Sequence, residues 1–304
     1  MISVVMSVYN TPDDWLCQSI QSVLDQSYSD FEFLIVDDCS SQSNKEILVR
    51  YKNRDPRIHI IANCNNLGLT RSLNKAIFLA KGDYIARLDS DDMALPNRFQ
   101  RQLKCFYENP QLVLCGTGTA RLMDDREEYY KPLTGSSDYL KINLLFGNIF
   151  AHSSVMIRKS VLKANNLQYD ERFLFAQDYE LWTRLAVYGD VENIDEKLCV
   201  YRIHKEQISC KQIESQNDFR DKIVQRNLKG IGLNVPLKSI NRCLNIFFAK
   251  GNSESCLWII SFTVRIVLAL FARYKLTSVE MIKKILWNSV WLLKKSFLRG
   301  CNSI

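Results

Sequence analysis

Residues 87–96 read RLDSDDMALP. Three carboxylates, Asp89, Asp91 and Asp92, fall within four positions, directly after the apolar run through Tyr84, Ile85, Ala86 and Leu88. A short apolar run with a polar boundary reads as a buried strand. Like charges packed this closely repel one another. An oxygen-rich cluster of this kind suits Mg²⁺ or Mn²⁺, which commonly bridge to substrate phosphates. For this stretch alone the alternative is a solvated acidic turn, with Asp92 capping the next helix.

The segments before it bear on the choice. Ile2 to Val8 reads as a strand and Asp13 to Gln26 as a helix with Leu16, Ile20, Val23 and Leu24 on one face. Strands at Phe31 to Val36 and Arg57 to Ile61 alternate with helices at Ser43 to Lys52 and Leu69 to Ala80. Tyr84 to Leu88 is the next strand and Pro96 to Tyr107 the next helix, with proline in its first turn. Alternation of this kind predicts βαβ units and a parallel sheet covered on both faces, hence an α/β fold. In such sheets ligands occupy the crevice beyond the carboxyl ends of the strands. The first strand ends in Ser7-Val8-Tyr9-Asn10, the second in Asp37-Asp38 and the fourth in the acidic cluster. All three ends share one rim, which favours a metal that holds a nucleotide. No G-x-G-x-x-G follows the first strand and no GK[ST] occurs, so dinucleotide-binding and P-loop enzymes lack their main signal.

Composition sets the bounds. The 304 residues, 47% of them apolar, suit one large domain or two modest ones. Ten cysteines without a CxxC pair fit reduced thiols in a cytosolic protein better than a disulfide framework or a zinc site. No basic segment followed by an apolar one opens the chain, so no signal peptide is expected. The net charge of +7 is unevenly placed: residues 250–304 carry nine Lys or Arg against two acids, and the rest balances at 31 of each sign. No nucleic-acid partner is expected.

In the second half, Leu112 to Gly116 and Ser154 to Ile157 read as strands, Asp138 to Phe146 as a helix, and Asp178 opens a helix running to Tyr188. By spacing alone Asp178 is an ordinary carboxylate at a helix N-terminus, favoured by the dipole.

Seven stretches taken together resemble glycosyltransferase family 2, the inverting nucleotide-sugar transferases of GT-A fold. They are SVVMSVYN (3–10), SIQSVLDQSYSDFEFLIVDDCS (19–40), NNLGLTRSLNKAI (65–77), KGDYIARLDSDDMALPNRFQRQ (81–102), HSSVMIRKSVL (152–162), YDERFLFAQDYELWTRL (169–185) and YRIHKEQIS (201–209). The flavour is that of members building bacterial O-antigen, lipooligosaccharide or exopolysaccharide repeat units. The resemblance implies a mostly parallel central sheet flanked by helices, with a nucleotide-sugar-binding half at 1–108, an acceptor-binding half at 109–210 and a helical C-terminal region at 211–304. It implies that Ser7 and Tyr9 line the base and ribose, that Asp38 accepts a hydrogen bond from a uracil N–H, and that Arg71 reaches the base or phosphates. Asp89 matches a ribose-contacting aspartate, Asp91 the metal ligand, and His204 a position that completes the metal shell in some relatives. Asp178 matches the general base. Asp92 is read as capping or supporting, and His152 as structural. Two departures stand out: Cys39 where the family usually has glycine, and Gln177 where a Glu often precedes the Asp.

The implied reaction uses Mn²⁺ or Mg²⁺ and a UDP-sugar carrying galactose, N-acetylglucosamine or glucose. The implied acceptor is an undecaprenyl-diphosphate-linked saccharide or a growing polysaccharide. Two other readings stay open at this point: a DxD-type Mg-dependent phosphatase, and a non-catalytic nucleotide-sugar or glycan-binding protein. The first would normally put its aspartates on the first strand. The second would not need Asp178.

Residues 250–304 read as a membrane-surface attachment. Cys256 to Ala272 is apolar but short for a span and carries Arg265 near its middle. In Val279 to Leu298, the residues Ile282, Leu286, Val290, Leu293 and Phe297 form one helical face. Trp287 and Trp291 fall between Lys283, Lys284, Lys294 and Lys295, a pairing common where helices meet lipid headgroups. This places the protein in the cytoplasm, peripherally on the inner face of the cell membrane. Packing of these helices on the rest of the protein or on a second copy is the alternative.

Overall fold

The computed structural model describes residues 1–123, 126–204, 207, 212–248, 256–274 and 282–290. The chain divides into two compact units, one of Met1–Gly135 with Ile149–Ile213, the other of Ser136–Asn148 with the residues from 214 onward. The two halves expected on either side of residue 108 thus contribute strands to a single unit.

The first unit opens with β1 (Ile2–Val8), α1 (Asp13–Leu24), β2 (Phe31–Asp37), α2 (Gln42–Arg54), β3 (Ile58–Ala62), α3 (Leu69–Leu79), β4 (Tyr84–Arg87), β5 (Met93–Ala94) and α4 (Arg98–Glu108). It continues with β6 (Leu112–Met123), β7 (Arg126–Tyr130), β8 (Met156–Arg158), α6 (Lys159–Ala164), α7 (Gln177–Leu185) and β9 (Asp190–Arg202). The strands form one mixed sheet in the order β3-β2-β1-β4-β8-β6-β9-β5, with β7 beside β6. The run β3-β2-β1-β4 is parallel. β8 lies antiparallel between β4 and β6, and β6 runs parallel to β9.

Burial explains why the first half was readable. Ile2, Val4, Met6 and Val8 are fully buried, and all seven residues of β2 are buried. Each such apolar side chain contributes roughly 1.5–3 kcal/mol, so packing on both faces fixes the strands and leaves their polar ends for chemistry. β9 carried no comparable signal. Its sequence DVENIDEKLCVYR is half polar, and its pairing with β6 shifts register near Leu112 and again between Thr117 and Thr119, which breaks the two-residue alternation. Gly118 is demanded by close approach, because a Cβ there would lie 2.7 Å from the Glu196 backbone carbonyl oxygen.

The second unit contains α5 (Ser137–Leu144), α8 (Ile213–Gly230), α9 (Ile240–Phe247), α10 (Cys256–Tyr274) and a helical segment at 282–290. Phe146 stacks on Phe247 with ring centroids 3.8 Å apart. α10 buries Ile259, Phe262, Ile266 and Leu270 and leaves Leu257, Ile260, Val264, Leu268 and Phe271 exposed. At 282–290 the buried residues are Ile285 and Ser289, and Thr263 shares a 2.6 Å hydrogen bond with Ser289. The face expected through Leu286 and Val290 is therefore turned outward, with Trp287 beside it. Leu293, Phe297, Trp291, Lys294 and Lys295 lie outside the described residues. No helix among the described residues is long and apolar enough to cross a membrane.

Candidate active site

β1, β2 and β4 are neighbours running the same way, so residues 7–10, 37–38 and 89–92 meet at one rim. Thr11 Oγ1 and Ser90 Oγ, 2.6 Å apart, tie the end of β1 to the acidic turn, and Ser19 of α1 donates to the Asp89 carbonyl. Ser7 is half-buried at this edge and Tyr9 is exposed. Asp38 is 1% exposed. Its Oδ1 accepts from Asn63 Nδ2 and from the Leu67 amide, and its Oδ2 accepts from the Gly68 amide, each at 2.8 Å. Asp38 thus organises the loop between β3 and α3. Arg71, at the start of α3, is paired with Glu171 at 2.8 Å, both side chains being exposed.

Asp89, Asp91 and Asp92 each offer an oxygen within 4.8 Å of the others. Asp89 is ion-paired with Arg87, whose guanidinium is buried at the end of β4. Burial acts to raise the Asp89 carboxyl, yet the Arg87 charge and hydrogen bond outweigh it and hold the group below its usual range. Asp91 is pushed up by burial and then by the Asp89 charge, against a hydrogen bond from His204. Asp92 is fully buried and pushed well up, by burial first and then by Asp89 and Asp91. It does not cap a helix: the next one, α4, starts six residues later at Arg98. Asp92 instead accepts from the Arg202 amide at 2.9 Å and from the Ser153 hydroxyl. Ser153 also accepts from Arg87 Nη1 at 2.8 Å and lies 2.9 Å from Asp89 Oδ2, so its one proton serves either carboxylate.

Two chain segments close around this cluster. His204 Nε2 lies 2.9 Å from Asp91 Oδ2, and its ring packs on Trp15 of α1 with centroids 4.9 Å apart. Arg202 donates from Nε to the Asp91 carbonyl and from Nη2 to Gln18, and its guanidinium lies over Trp15. Behind the cluster, buried Arg98 donates to the carbonyls of Arg87 and Val155. Three carboxylates thus face two buried guanidiniums. The donor set is oxygen-rich, two of its members are driven toward protonation, and an imidazole nitrogen stands at its edge. This chemistry fits a divalent cation.

Asp178 occupies the first turn of α7, after Ala176 in a left-handed conformation (φ 58°) that swings the helix into place. Tyr169 relates it to the rim. This hydroxyl is raised by burial, and the charges of Asp178 and Asp89 raise it further. Tyr169 Oη lies 2.8 Å from His152 Nε2, and burial followed by the Arg87 charge drives His152 well below its ordinary value. Glu180, two residues beyond Asp178, is buried and gripped by Arg184 at 2.6 Å. Trp15, Arg87, Ser153, Tyr169 and Arg202 were not foreseen. Arg87 was visible as a charge ending an apolar strand, and Arg202 is the second residue of the quoted YRIHKEQIS. Ser153 lies within the quoted HSSVMIRKSVL, where no charge or periodicity singles it out.

The family model for glycosyl transferase family 2 matches residues 3–164. The chain belongs to that family. It is 37% identical over 215 residues to the O-antigen biosynthesis glycosyltransferase WbnJ of Escherichia coli, covering 67% of this chain and 80% of that one. It is 36% identical over 207 residues to an uncharacterised glycosyltransferase of Methanocaldococcus jannaschii, covering 67% and 71%. Among solved structures, S. aureus TarS in complex with UDP-GlcNAc superposes with a TM-score of 0.63 at 13% identity, covering 97% of this chain and 89% of that one. A mannosyltransferase of Pyrobaculum calidifontis in complex with GDP-Man and Mn²⁺ gives 0.56 at 15% identity, covering 96% and 86%. The family-2 protein described here is therefore a glycosyltransferase of GT-A fold with a DxD-like acidic triad.

Proposed function

We propose that this family-2 glycosyltransferase moves a sugar from a UDP-sugar to a hydroxyl of a lipid-linked, growing surface polysaccharide, inverting the anomeric centre. The observation that carries the reading is the acidic triad at the shared rim of β1, β2 and β4, with Asp178 near enough, like Asp89, for its charge to act on the Tyr169 hydroxyl. Asp91 and His204 would hold Mn²⁺ or Mg²⁺, with Asp89 toward the ribose. When bound, such a cation neutralises charge that builds on the departing diphosphate. Ser7 and Tyr9 line the base, Asp38 fixes the loop against which the base sits, and Arg71 lies within reach of the phosphates from the start of α3. Asp178 takes the proton from the acceptor hydroxyl as that oxygen attacks the anomeric carbon from the opposite face. A single displacement needs no covalent enzyme intermediate.

The WbnJ name and those of relatives in amylovoran and teichuronic acid biosynthesis support a polysaccharide acceptor. The exposed stripe Leu257, Ile260, Val264, Leu268 and Phe271 on α10, together with Leu286, Trp287 and Val290, supports attachment to the inner membrane surface, where an undecaprenyl-diphosphate-linked acceptor resides. Basic residues near it would favour anionic lipid by about 1 kcal/mol each.

The test is a donor panel. Pure protein with Mn²⁺ is incubated with UDP-galactose, UDP-N-acetylglucosamine, UDP-glucose, GDP-mannose and a dTDP-sugar, with and without lipid-linked acceptors. Mass spectrometry reads the product. Transfer from one UDP-sugar to the lipid-linked acceptor is expected. Transfer only from GDP-mannose, or release of inorganic phosphate alone, overturns the reading.

A further inference from the structure

Cys39 and Cys64 stand at the ends of adjacent parallel strands, beside the carboxylate that organises the base-binding loop. β2 and β3 pair in the register Val36 to Ile61 and Asp37 to Ala62, and the Asn63 amide extends the ladder with a 2.9 Å bond to the Asp37 carbonyl. Cys39 and Cys64 follow in the bends just beyond those two strand ends. The Cys39 side chain is turned toward its neighbour, with Sγ 3.9 Å from the Cys64 carbonyl oxygen. Cys39 also holds a left-handed backbone, φ 64°. A residue with a Cβ adopts that conformation at a cost of about 1–2 kcal/mol, so a thiol sits where glycine would be unstrained. Cys39 is half-buried and Cys64 exposed, so a small oxidant can reach both.

We propose that Cys39 and Cys64 form a dithiol that closes reversibly to a disulfide and weakens nucleotide binding while closed. The proposal rests on the donor reading above. The three groups that donate to Asp38 come from Asn63, Leu67 and Gly68, which flank Cys64 in the loop. A bridge at Cys64 pulls the start of that loop against the turn that follows Asp38 and displaces those donors, narrowing the slot for the base.

The chemistry balances with a small disulfide such as oxidised glutathione as oxidant. One cysteine thiolate attacks a glutathione sulfur, forming a mixed disulfide and releasing one glutathione thiolate. The second cysteine thiolate attacks the protein sulfur of that intermediate, forming the Cys39–Cys64 bond and releasing the second glutathione. Two electrons pass from the cysteine pair to glutathione, and the two thiol protons end on the two released thiols.

The test treats full-length protein with oxidised glutathione, alkylates remaining thiols, and maps cross-linked peptides by mass spectrometry. UDP binding is measured by calorimetry before oxidation, after it, and after dithiothreitol. The expected result is a Cys39–Cys64 peptide, UDP affinity at least ten-fold weaker, and recovery on reduction. Cys64→Ser should bind UDP with no response to the oxidant. Cys105→Ser separates any contribution from Cys105, which neighbours the fully buried Cys115. No Cys39–Cys64 peptide, or a bridge that leaves UDP affinity unchanged, overturns the proposal alone. Reduced protein that binds no UDP overturns the donor reading and this proposal with it.

Discussion

The two units dispose of charge and apolar surface in opposite ways. The α/β unit buries charge: Arg87, Asp92, Arg98 and Glu180 are each at most 1% exposed. Its exposed apolar side chains, such as Val49, Phe78 and Leu174, are scattered among its elements. The helical unit, among the described residues, buries only Asn143, Thr263 and Ser289 as polar groups, yet exposes apolar residues in a continuous stripe along α10. Scattered surface apolar residues are ordinary, whereas a continuous patch marks an interaction surface. Buried charge is expensive unless paired or met by an ion, so it survives where chemistry needs it. One unit gathers its buried charge around the acidic triad, and the other leaves an apolar stripe exposed.

The largest expected effect breaks the charged side of that comparison. Asp91→Ala removes the carboxylate that faces His204, and transfer should fall by about 10³-fold, the scale seen when a preorganised electrostatic partner is lost. EDTA should abolish wild-type transfer, with Mn²⁺ or Mg²⁺ restoring it. Full activity of the alanine variant in EDTA would remove the cation from the site. Next in size is Asp178→Asn. Transfer should drop by about 10²-fold or more, as for loss of a general base, while UDP affinity measured by calorimetry stays within two-fold. A near wild-type rate would place the base elsewhere. Glu180 is a poor substitute, because Arg184 grips its buried carboxylate.

How much of this was legible follows the same division. Apart from the two-residue β5, the elements β1 to α4 came within about two residues of their observed bounds; in β1 and β2 near-complete burial writes continuous apolar runs into the sequence. The acids at residues 38, 89, 91 and 92 were legible for the reverse reason, since charge at a strand end stands out against such runs. What stayed hidden was whatever depends on long-range closure. Ser153 meets Asp92 across 61 residues and Arg202 meets it across 110. β9 reached the sheet despite a half-polar sequence because β6 supplies its partner backbone. In the helical unit the 3.6-residue period showed that a face exists around Leu286 and Val290. It did not show which side is packed; the Thr263–Ser289 bond settles that.

A smaller effect tests the apolar side. Leu257→Glu with Leu268→Glu puts two charges on the exposed stripe without touching its buried face. Each apolar side chain contributes roughly 1.5–3 kcal/mol when removed from water, so partition onto anionic liposomes should weaken about ten-fold or more. Transfer to a short soluble acceptor should stay unchanged. Full-length protein that never sediments with liposomes at low salt would leave the stripe to a protein partner.

The smallest effect concerns stability and sharpens the account of the triad. Asp92 is the most deeply placed of the three acids, and burial with its two acidic neighbours drives its carboxyl well above the usual range. A carboxyl whose folded value lies above its unfolded one binds more protons in the native state. Stability then falls as pH rises. The penalty is absent below the unfolded value and grows as pH rises toward the folded one, so at pH 7 it weighs on the cation-free protein. Asp92→Asn removes the charge while an amide can still accept from the Arg202 amide and bond to Ser153. In EDTA at pH 7 the variant should therefore be the more stable of the two, read as a higher Tm. Below pH 4 the difference should vanish. Saturating Mn²⁺ should reverse the order at pH 7, because the wild-type triad then has its counter-charge and the variant triad has lost a third of its own. Equal melting temperatures in EDTA at pH 7 would show that Arg87, Arg98 and Arg202 already balance the triad without a cation.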